Sequence, residues 1–329
     1  MTTYKGIRGH TIRTIAGDAD PVVTGDIWYN SVAKKIKGAK IVAGTWAAGG
    51  DVNNQRAGKM SGGHTVATAI IAGGQHPPTG GQFTETYDGT SWTEVGNPGE
   101  AHPQTAGGGT PTAAWMCTGT PGDATSGEEW NGASWSDANN CNRGNAQRAG
   151  SGPQTAAVMM GSEPATNDCE SYDGTTWTEV ANTPIVHRGS ECVGPNTAAK
   201  LLCGHNTGTP AQTAETFDFN GSSFTAAPDT NTVRFEFGSL GLTQDACMCL
   251  GGTIDASGTT RTANAEEFDG TSWAEGANLE NVSAQSDGAG TSAAGIISHG
   301  YVGPYSGGAY SASTEEWTHG AGAVTFTSS

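Results

Sequence analysis

A pair of aromatic residues flanking a short turn recurs along this chain every 42 to 51 residues or so, and no other feature restricts its possible folds as strongly. The clearest copy is Glu85-Thr86-Tyr87-Asp88-Gly89-Thr90-Ser91-Trp92-Thr93-Glu94. Others start at Trp130, Tyr172, Phe217 and Phe268 and close on Trp135, Trp177, Phe224 and Trp273. A sixth, from Trp317 to Phe326, lacks the Asp-Gly or Asn-Gly dipeptide. Such a dipeptide between aromatics predicts a β-hairpin, because it supplies the positive φ angles of a tight turn.

Between the hairpins lies a second recurring block, an apolar run of small residues that ends on glycine: His64–Gly74, Thr112–Gly119, Thr155–Gly161, Thr197–Gly204, Asp245–Gly252 and Ser292–Gly300. Each is long enough for one buried strand and too short for an amphipathic helix. One repeat therefore reads as a four-stranded antiparallel sheet, made of a lead-in strand, the buried strand and the outer hairpin. Sheets repeating at this period predict an all-β propeller of six four-stranded blades. Seven is the alternative, with residues 8–38 as a degenerate blade in which Arg8-Gly9, Ile15-Ala16-Gly17 and Tyr29-Asn30 imitate the repeat. Thr45-Trp46-Ala47 is expected to close the ring beside the last blade, although Val324-Thr325-Phe326 also offers that blade an outer strand.

The 51 glycines among 329 residues would suggest disorder, but they fall at fixed places in each repeat and so mark tight turns and close backbone packing. The division is an N-terminal attachment arm, 1–45, and a propeller, 46–329. Within the arm, Gly25-Asp26-Ile27-Trp28-Tyr29-Asn30-Ser31 followed by Lys34-Lys35-Ile36-Lys37 predicts a hairpin. Up to Met60 the chain holds nine basic and four acidic residues, which leaves six basic against 28 acidic beyond it and a total of −17. An acidic body repels phosphates, which argues against nucleic acid as a partner, and the basic arm is expected to dock on another protein. No apolar run approaches the ~20 residues of a membrane span, and the start lacks the layout of a signal peptide. The seven cysteines are odd in number and four lie in apolar strands, which fits packing in a reducing cytoplasm better than disulfides or metal, Cys247-Met248-Cys249 included.

Arg56, Arg148, Arg188 and Arg234 recur shortly before the buried strand and are the candidate binding residues; His102, Gln104 and Gln285 occupy that region in the second and sixth repeats. Glutamate recurs before the first hairpin aromatic, as Glu85, Glu129, Glu170, Glu215, Glu267 and Glu316. Two readings stand. The arginines pair with these glutamates within or between blades, since guanidinium and carboxylate match in a planar fork. Alternatively they form a ring of cations around a central channel that captures an anionic sugar.

The blocks of apolar strand, glycine and spaced aromatics resemble kelch-type β-propellers, and Gly73-Gly74 and Gly251-Gly252 keep the kelch glycine pair. The order of Tyr4-Lys5-Gly6-Ile7-Arg8-Gly9, then Gly25–Ser31, then Trp46-Ala47-Ala48-Gly49-Gly50 is similar to kelch-like repeat proteins among the tail and fibre components of marine tailed bacteriophages, cyanophage-like ones especially. That resemblance implies a virion protein, assembled in the host cytoplasm in several copies. Its arm would bind other tail proteins, and its propeller would recognise a host-surface glycan or protein. A structural adaptor, scaffold or decoration protein of the virion is the alternative, and a cellular carbohydrate-binding propeller a further one. The resemblance carries over no catalytic residue.

Enzymatic readings lack their motifs. The turn Asp88-Gly89-Thr90-Ser91-Trp92 is one residue shorter than a sialidase Asp-box, no Gly-x-Ser-x-Gly occurs, and the eight histidines stand singly. Acids recur identically in each repeat, as solvated positions would, instead of as a pair across one cleft. The chain is expected to be no enzyme and to need neither metal nor cofactor.

Overall fold

The computed structural model describes residues 13–16, 27–41, 43–76, 81–119, 124–207, 211–255, 259–303, 309–319 and 321–325. Among these, every regular element is a β-strand. Among the described residues no helix is long and apolar enough to cross a membrane. The chain divides into two compact units, Met1–Thr45 with His319–Ser329, and Trp46–Thr318.

In the larger unit each repeat becomes one antiparallel sheet, as the patterning requires. The first runs in chain order through Met60–Thr65, Thr68–Ala72, Thr84–Tyr87 and Trp92–Glu94. Six such sheets occur among the described residues, with lead strands Met60–Thr65, Ala106–Thr110, Ala149–Ser151, Glu191–Val193, Gly238–Thr243 and Asp287–Gly290, the fourth sheet holding a fifth strand, His187–Arg188. Each lead strand lies beside the next, and the last lies beside the first. Six hydrophobic clusters fill the gaps between consecutive sheets. Trp115 and Cys117 of the second sheet, for example, meet Met159, Tyr172 and Trp177 of the third, while Ala289 and Ile296 of the sixth meet Ile71 and Tyr87 of the first. Four-stranded antiparallel sheets packed in this way are consistent with a β-propeller.

The glycines of the lead strands allow this approach. A Cβ on Gly62 would stand 2.6 Å from the Gly109 carbonyl oxygen, and one on Gly288 would stand 2.2 Å from that of Ser239. The outer hairpins close as expected, with one refinement in the turn. Gly89, Gly132, Gly174, Gly221 and Gly270 take φ of 91–95°, whereas the preceding Asp or Asn uses its Oδ1 to accept two backbone amides, from Thr90 and Ser91 at 2.9 Å in the first repeat.

One aromatic pair shifts, and of the two strands expected to compete for the outer place of the last sheet Thr45-Trp46-Ala47 takes it. The aromatic pair of the fourth sheet is Phe219 with Phe224, 4.7 Å apart, and Phe217 lies two residues earlier along the same strand. The sixth sheet takes its fourth strand from the other end of the chain, for Thr45–Ala48 adds to Asp287–Gly290, Ala294–Ser298 and Thr314–Thr318. The Trp46 ring lies tilted at 41° against Trp317, centroids 5.0 Å apart, and donates its Nε1–H to the Ala277 carbonyl at 2.8 Å. Val324 and Thr325, the rival outer strand, belong instead to Ala321–Thr325, which pairs with Lys35–Ile41; Phe326 lies outside the described residues. The reason is local. Thr318-His319 follows Trp317 where the other repeats carry Asp-Gly or Asn-Gly, so the chain does not fold straight back there and Trp46 fills the aromatic place.

The smaller unit is one sheet in the order Arg13–Ile15, Ile27–Asn30, Lys35–Ile41, Ala321–Thr325, whose first pair is parallel. No repeat sheet has that arrangement among the described residues, and of the proposed degenerate blade, 8–12 and 17–26 lie outside them. The expected arm hairpin is present. Its turn is held by Asn30 Oδ1, which accepts the amides of Val32 at 3.1 Å and Ala33 at 2.8 Å.

Candidate functional site

The lead strands surround a cavity of about 350 Å³, lined largely by glycine backbone, with Lys59, Arg148, Glu191 and Asp287 as its charged residues. Lys59 Nζ lies 3.4 Å from Asp287 Oδ2 and donates to the Ser298 carbonyl at 3.1 Å. Burial is the main reason that Asp287 is pushed up to about 6, and it raises Glu191 well above the carboxylate range, with the Asp287 charge adding to it.

At one end of the cavity, six residues in sequence register adopt left-handed backbone: Gly58, Gln104, Gln147, Gly189, Glu236 and Gln285, with φ of 50–58°. Their backbones join one sheet to the next, Gln147 N–H donating to Gln104 O at 3.0 Å, Glu236 to Gly189 and Gln285 to Glu236 at 2.7 Å, and Gly58 to Gln285 at 3.3 Å. The Gln147 amide donates across this end to Glu236 at 3.3 Å, narrowing it to a space of about 50 Å³.

Aligning the repeats on these six residues separates the arginines. Arg56 and Arg234 stand two residues before the left-handed position, where the second repeat has His102; Arg148 stands one after it, where the first has Lys59. From these different places three of them reach one kind of partner. Arg56 meets Glu85 at 2.7 Å, Arg148 meets Glu170 at 2.5 Å and Arg234 meets Glu266 at 2.6 Å, all fully buried. His102 pairs with Glu128 at 3.1 Å and His299 with Glu315 at 2.9 Å. The paired glutamate lies two residues before the hairpin aromatic, so of the expected set Glu85 and Glu170 are partners. Glu129, Glu267 and Glu316 give way to their neighbours Glu128, Glu266 and Glu315.

In the fourth sheet that position is Phe217, and Glu215 is exposed. Arg188, left without such a partner, pairs with Glu163 at 2.9 Å in a partly exposed bridge. Of the four candidate arginines, Arg148 lines the cavity. The structure thus brings the arginines to carboxylates, sheet by sheet, rather than to one ring. Lys59, Glu191 and Asp287 were missed by the sequence reading, although each breaks a run of glycine, serine and small apolar residues, and alignment on the left-handed residue would have isolated them. Among the described residues, no three His, Cys, Asp or Glu side chains are grouped to hold a metal.

No family model matches this chain, and no curated protein does.

Each buried glutamate also grips the link that enters its sheet. Glu85 accepts the amides of Asn53 at 2.7 Å and Asn54 at 3.1 Å, and Glu266 those of Asn231 at 2.6 Å and Thr232 at 3.0 Å. The arrangement holds strands in place; the variable chemistry lies elsewhere. The connections between second and third strands, residues 73–83, 118–126, 161–168, 207–210, 251–264 and 299–313, differ widely in length and all leave the same end of their sheets. The longest, in the sixth sheet, carries Tyr301–Val302 and Ala309–Tyr310, which pair with each other, Tyr301–Val302 pairing also with Ser283–Ala284. At the opposite end the outer turns are uniform, 88–91, 131–134, 173–176, 220–223 and 269–272.

Proposed function

We propose that Trp46–Thr318 is a six-bladed β-propeller and that the chain is a non-enzymatic component of a bacteriophage tail or fibre, held to the particle by its basic N-terminal arm and recognising a host-surface glycan or protein. The observation that carries the recognition role is that the widest length variation falls at one end of an otherwise regular set of sheets. Variable connections on a rigid scaffold are where binding surfaces are built. The six blades rest on the circuit of lead strands, each beside the next and the last beside the first. The virion assignment rests on the likeness of the arm and repeats to marine phage tail proteins.

The test replaces residues 251–264, and separately 299–313, with glycine-serine linkers. Loss of adsorption to host cells with an unchanged melting curve is the expected result. Adsorption that survives both replacements favours the virion adaptor instead.

A further inference from the structure

Two of the seven thiols converge on one carbonyl oxygen. Cys117 ends the strand Ala113–Cys117, and Cys141 lies on the link that leaves the outer strand Trp135–Ala138 for the third sheet. Both Sγ atoms reach the Thr125 carbonyl oxygen, each at 3.5 Å, and the Cys141 amide donates to the same oxygen at 3.0 Å. Both residues belong to one core cluster, with Trp115, Tyr172 and Trp177.

The space beside them is a peculiarity of this sheet. Gly127 pairs with Cys117 on one side and Ala138 on the other. A Cβ there would stand 3.6 Å from Cys117 Sγ and 3.1 Å from the Asn139 carbonyl oxygen. The equivalent residues of the other five sheets are Thr84, Cys169, Thr216, Ala265 and Thr314, each with a side chain. The glycine therefore leaves Cys117 Sγ unscreened toward the link that carries Cys141.

We propose that Cys117 and Cys141 are an oxidation site, at which a low-molecular-weight disulfide such as oxidised glutathione converts the two thiols into one intramolecular disulfide. Cys141, as thiolate, attacks one sulfur of the glutathione disulfide, and the other half leaves as a thiolate that takes up a proton. Cys117 then gives up its proton and attacks Cys141 Sγ in the mixed disulfide, expelling the second glutathione thiolate, which is protonated in turn. Two protein thiols become one disulfide, and one glutathione disulfide becomes two thiols. The order follows from the surroundings. Contact with the Cys117 thiol lowers Cys141 below the ordinary thiol value, while that contact and burial push Cys117 up. Cys141 also sits between exposed residues of a surface link, which local opening can present to an oxidant.

The other cysteines serve as internal controls. Burial pushes Cys169 and Cys247 up to about 12, so little of either is thiolate at neutral pH. Cys203 and Cys249 also touch, and although burial opposes it that contact lowers Cys203; both are fully buried within strands, however, and Cys203 Sγ is occupied by Thr230 Oγ1 at 3.2 Å.

The experiment treats the reduced, full-length protein with oxidised glutathione at neutral pH, alkylates the remaining thiols after denaturation, and maps disulfides by mass spectrometry. A Cys117–Cys141 cross-linked peptide is expected, formed about tenfold or more faster than Cys169 or Cys247 is lost. Its yield falls in Gly127→Ala, and the unfolding midpoint of the wild type rises on oxidation and returns on reduction. Loss of the two thiols no faster than Cys169, earlier oxidation of Cys203 and Cys249, or a Cys141 mixed disulfide that never resolves onto Cys117 would overturn the proposal.

Discussion

A carboxylate buried beside a guanidinium or imidazole is stable only while both partners remain, and five of the six repeat sheets depend on such a pair. Removing Arg148 would leave Glu170 charged in the interior with the amide and side chain of Asn142 still bound to it. Arg148→Ala is expected to cost about 3–5 kcal/mol, read as a lower urea midpoint. Glu170→Ala, which orphans the guanidinium and the Asn142 amide together, should cost at least as much.

The histidine version adds a pH dependence. Burial opposes charge on Glu128, but the hydrogen bond from His102 and those from the Gly99 and Glu100 amides outweigh it, so the carboxyl sits below its ordinary 4.5. Burial lowers His102 too, but Glu128 and the Thr118 carbonyl prevail and the imidazole sits above 6.5. The Glu128 contribution is present above its unfolded pKa and is lost as pH falls through the folded value. That of His102 is present below 6.5 and is lost as pH rises through its folded value. The pair therefore stabilises most between about pH 4.5 and 6.5. In His102→Gln the stability loss that belongs to this imidazole as pH rises above 6.5 should disappear from denaturation midpoints measured from acid to alkaline pH.

At the scale of elements, the decisive strand is Thr45–Ala48, which covers the edge of Thr314–Thr318. Without it that edge would present unpaired backbone groups, and Trp317 would lose its ring partner. Two truncations separate this role from that of the arm. Deleting residues 1–44 keeps Trp46 and should leave the melting of Trp46–Thr318 nearly unchanged. Deleting 1–49 should lower it sharply and promote association through the bared edge. Equal melting of the two would mean that the strand contributes nothing. The lead strands give a second test of packing. The Gly288 Cβ position meets backbone, the Ser239 carbonyl oxygen, which no rotamer change relieves. Gly288→Ala is expected to destabilise by roughly 1–3 kcal/mol or more, as overpacking does, measured by thermal melting.

For the whole molecule, charge bears on how copies are arranged. Beyond Met60 the chain carries six basic residues against 28 acidic, so bodies packed against one another would repel unless basic partners intervened. In a cryo-EM map of the particle to which the proposed role assigns it, contacts with other chains should fall mainly on the N-terminal arm. The end bearing residues 251–264 and 299–313 should face solvent. Neighbours covering both ends of the Trp46–Thr318 sheets would make the chain a scaffold.

The sequence by itself determined the repeating sheets, because alternating burial and an Asp-Gly or Asn-Gly turn are local facts: Tyr87 and Trp92 had to be cross-strand neighbours whatever surrounded them. It also placed Trp46 on a strand, since that residue stands in the same relation to Arg56 as other outer aromatics do to the links that follow them. What crosses from one repeat to another is settled by contacts between residues far apart in the chain. Which of two adjacent glutamates turns inward depends on the register of its strand against the buried one, so Glu266 and not Glu267 meets Arg234. Phe217 stands where the other sheets carry the paired glutamate, because the register of the fourth sheet sets Phe219 opposite Phe224. The last strand joins Lys35–Ile41 rather than the sixth sheet: Thr318-His319 supplies no tight turn after Trp317, and the edge is filled by Thr45–Ala48, one of the two rivals that the sequence left open.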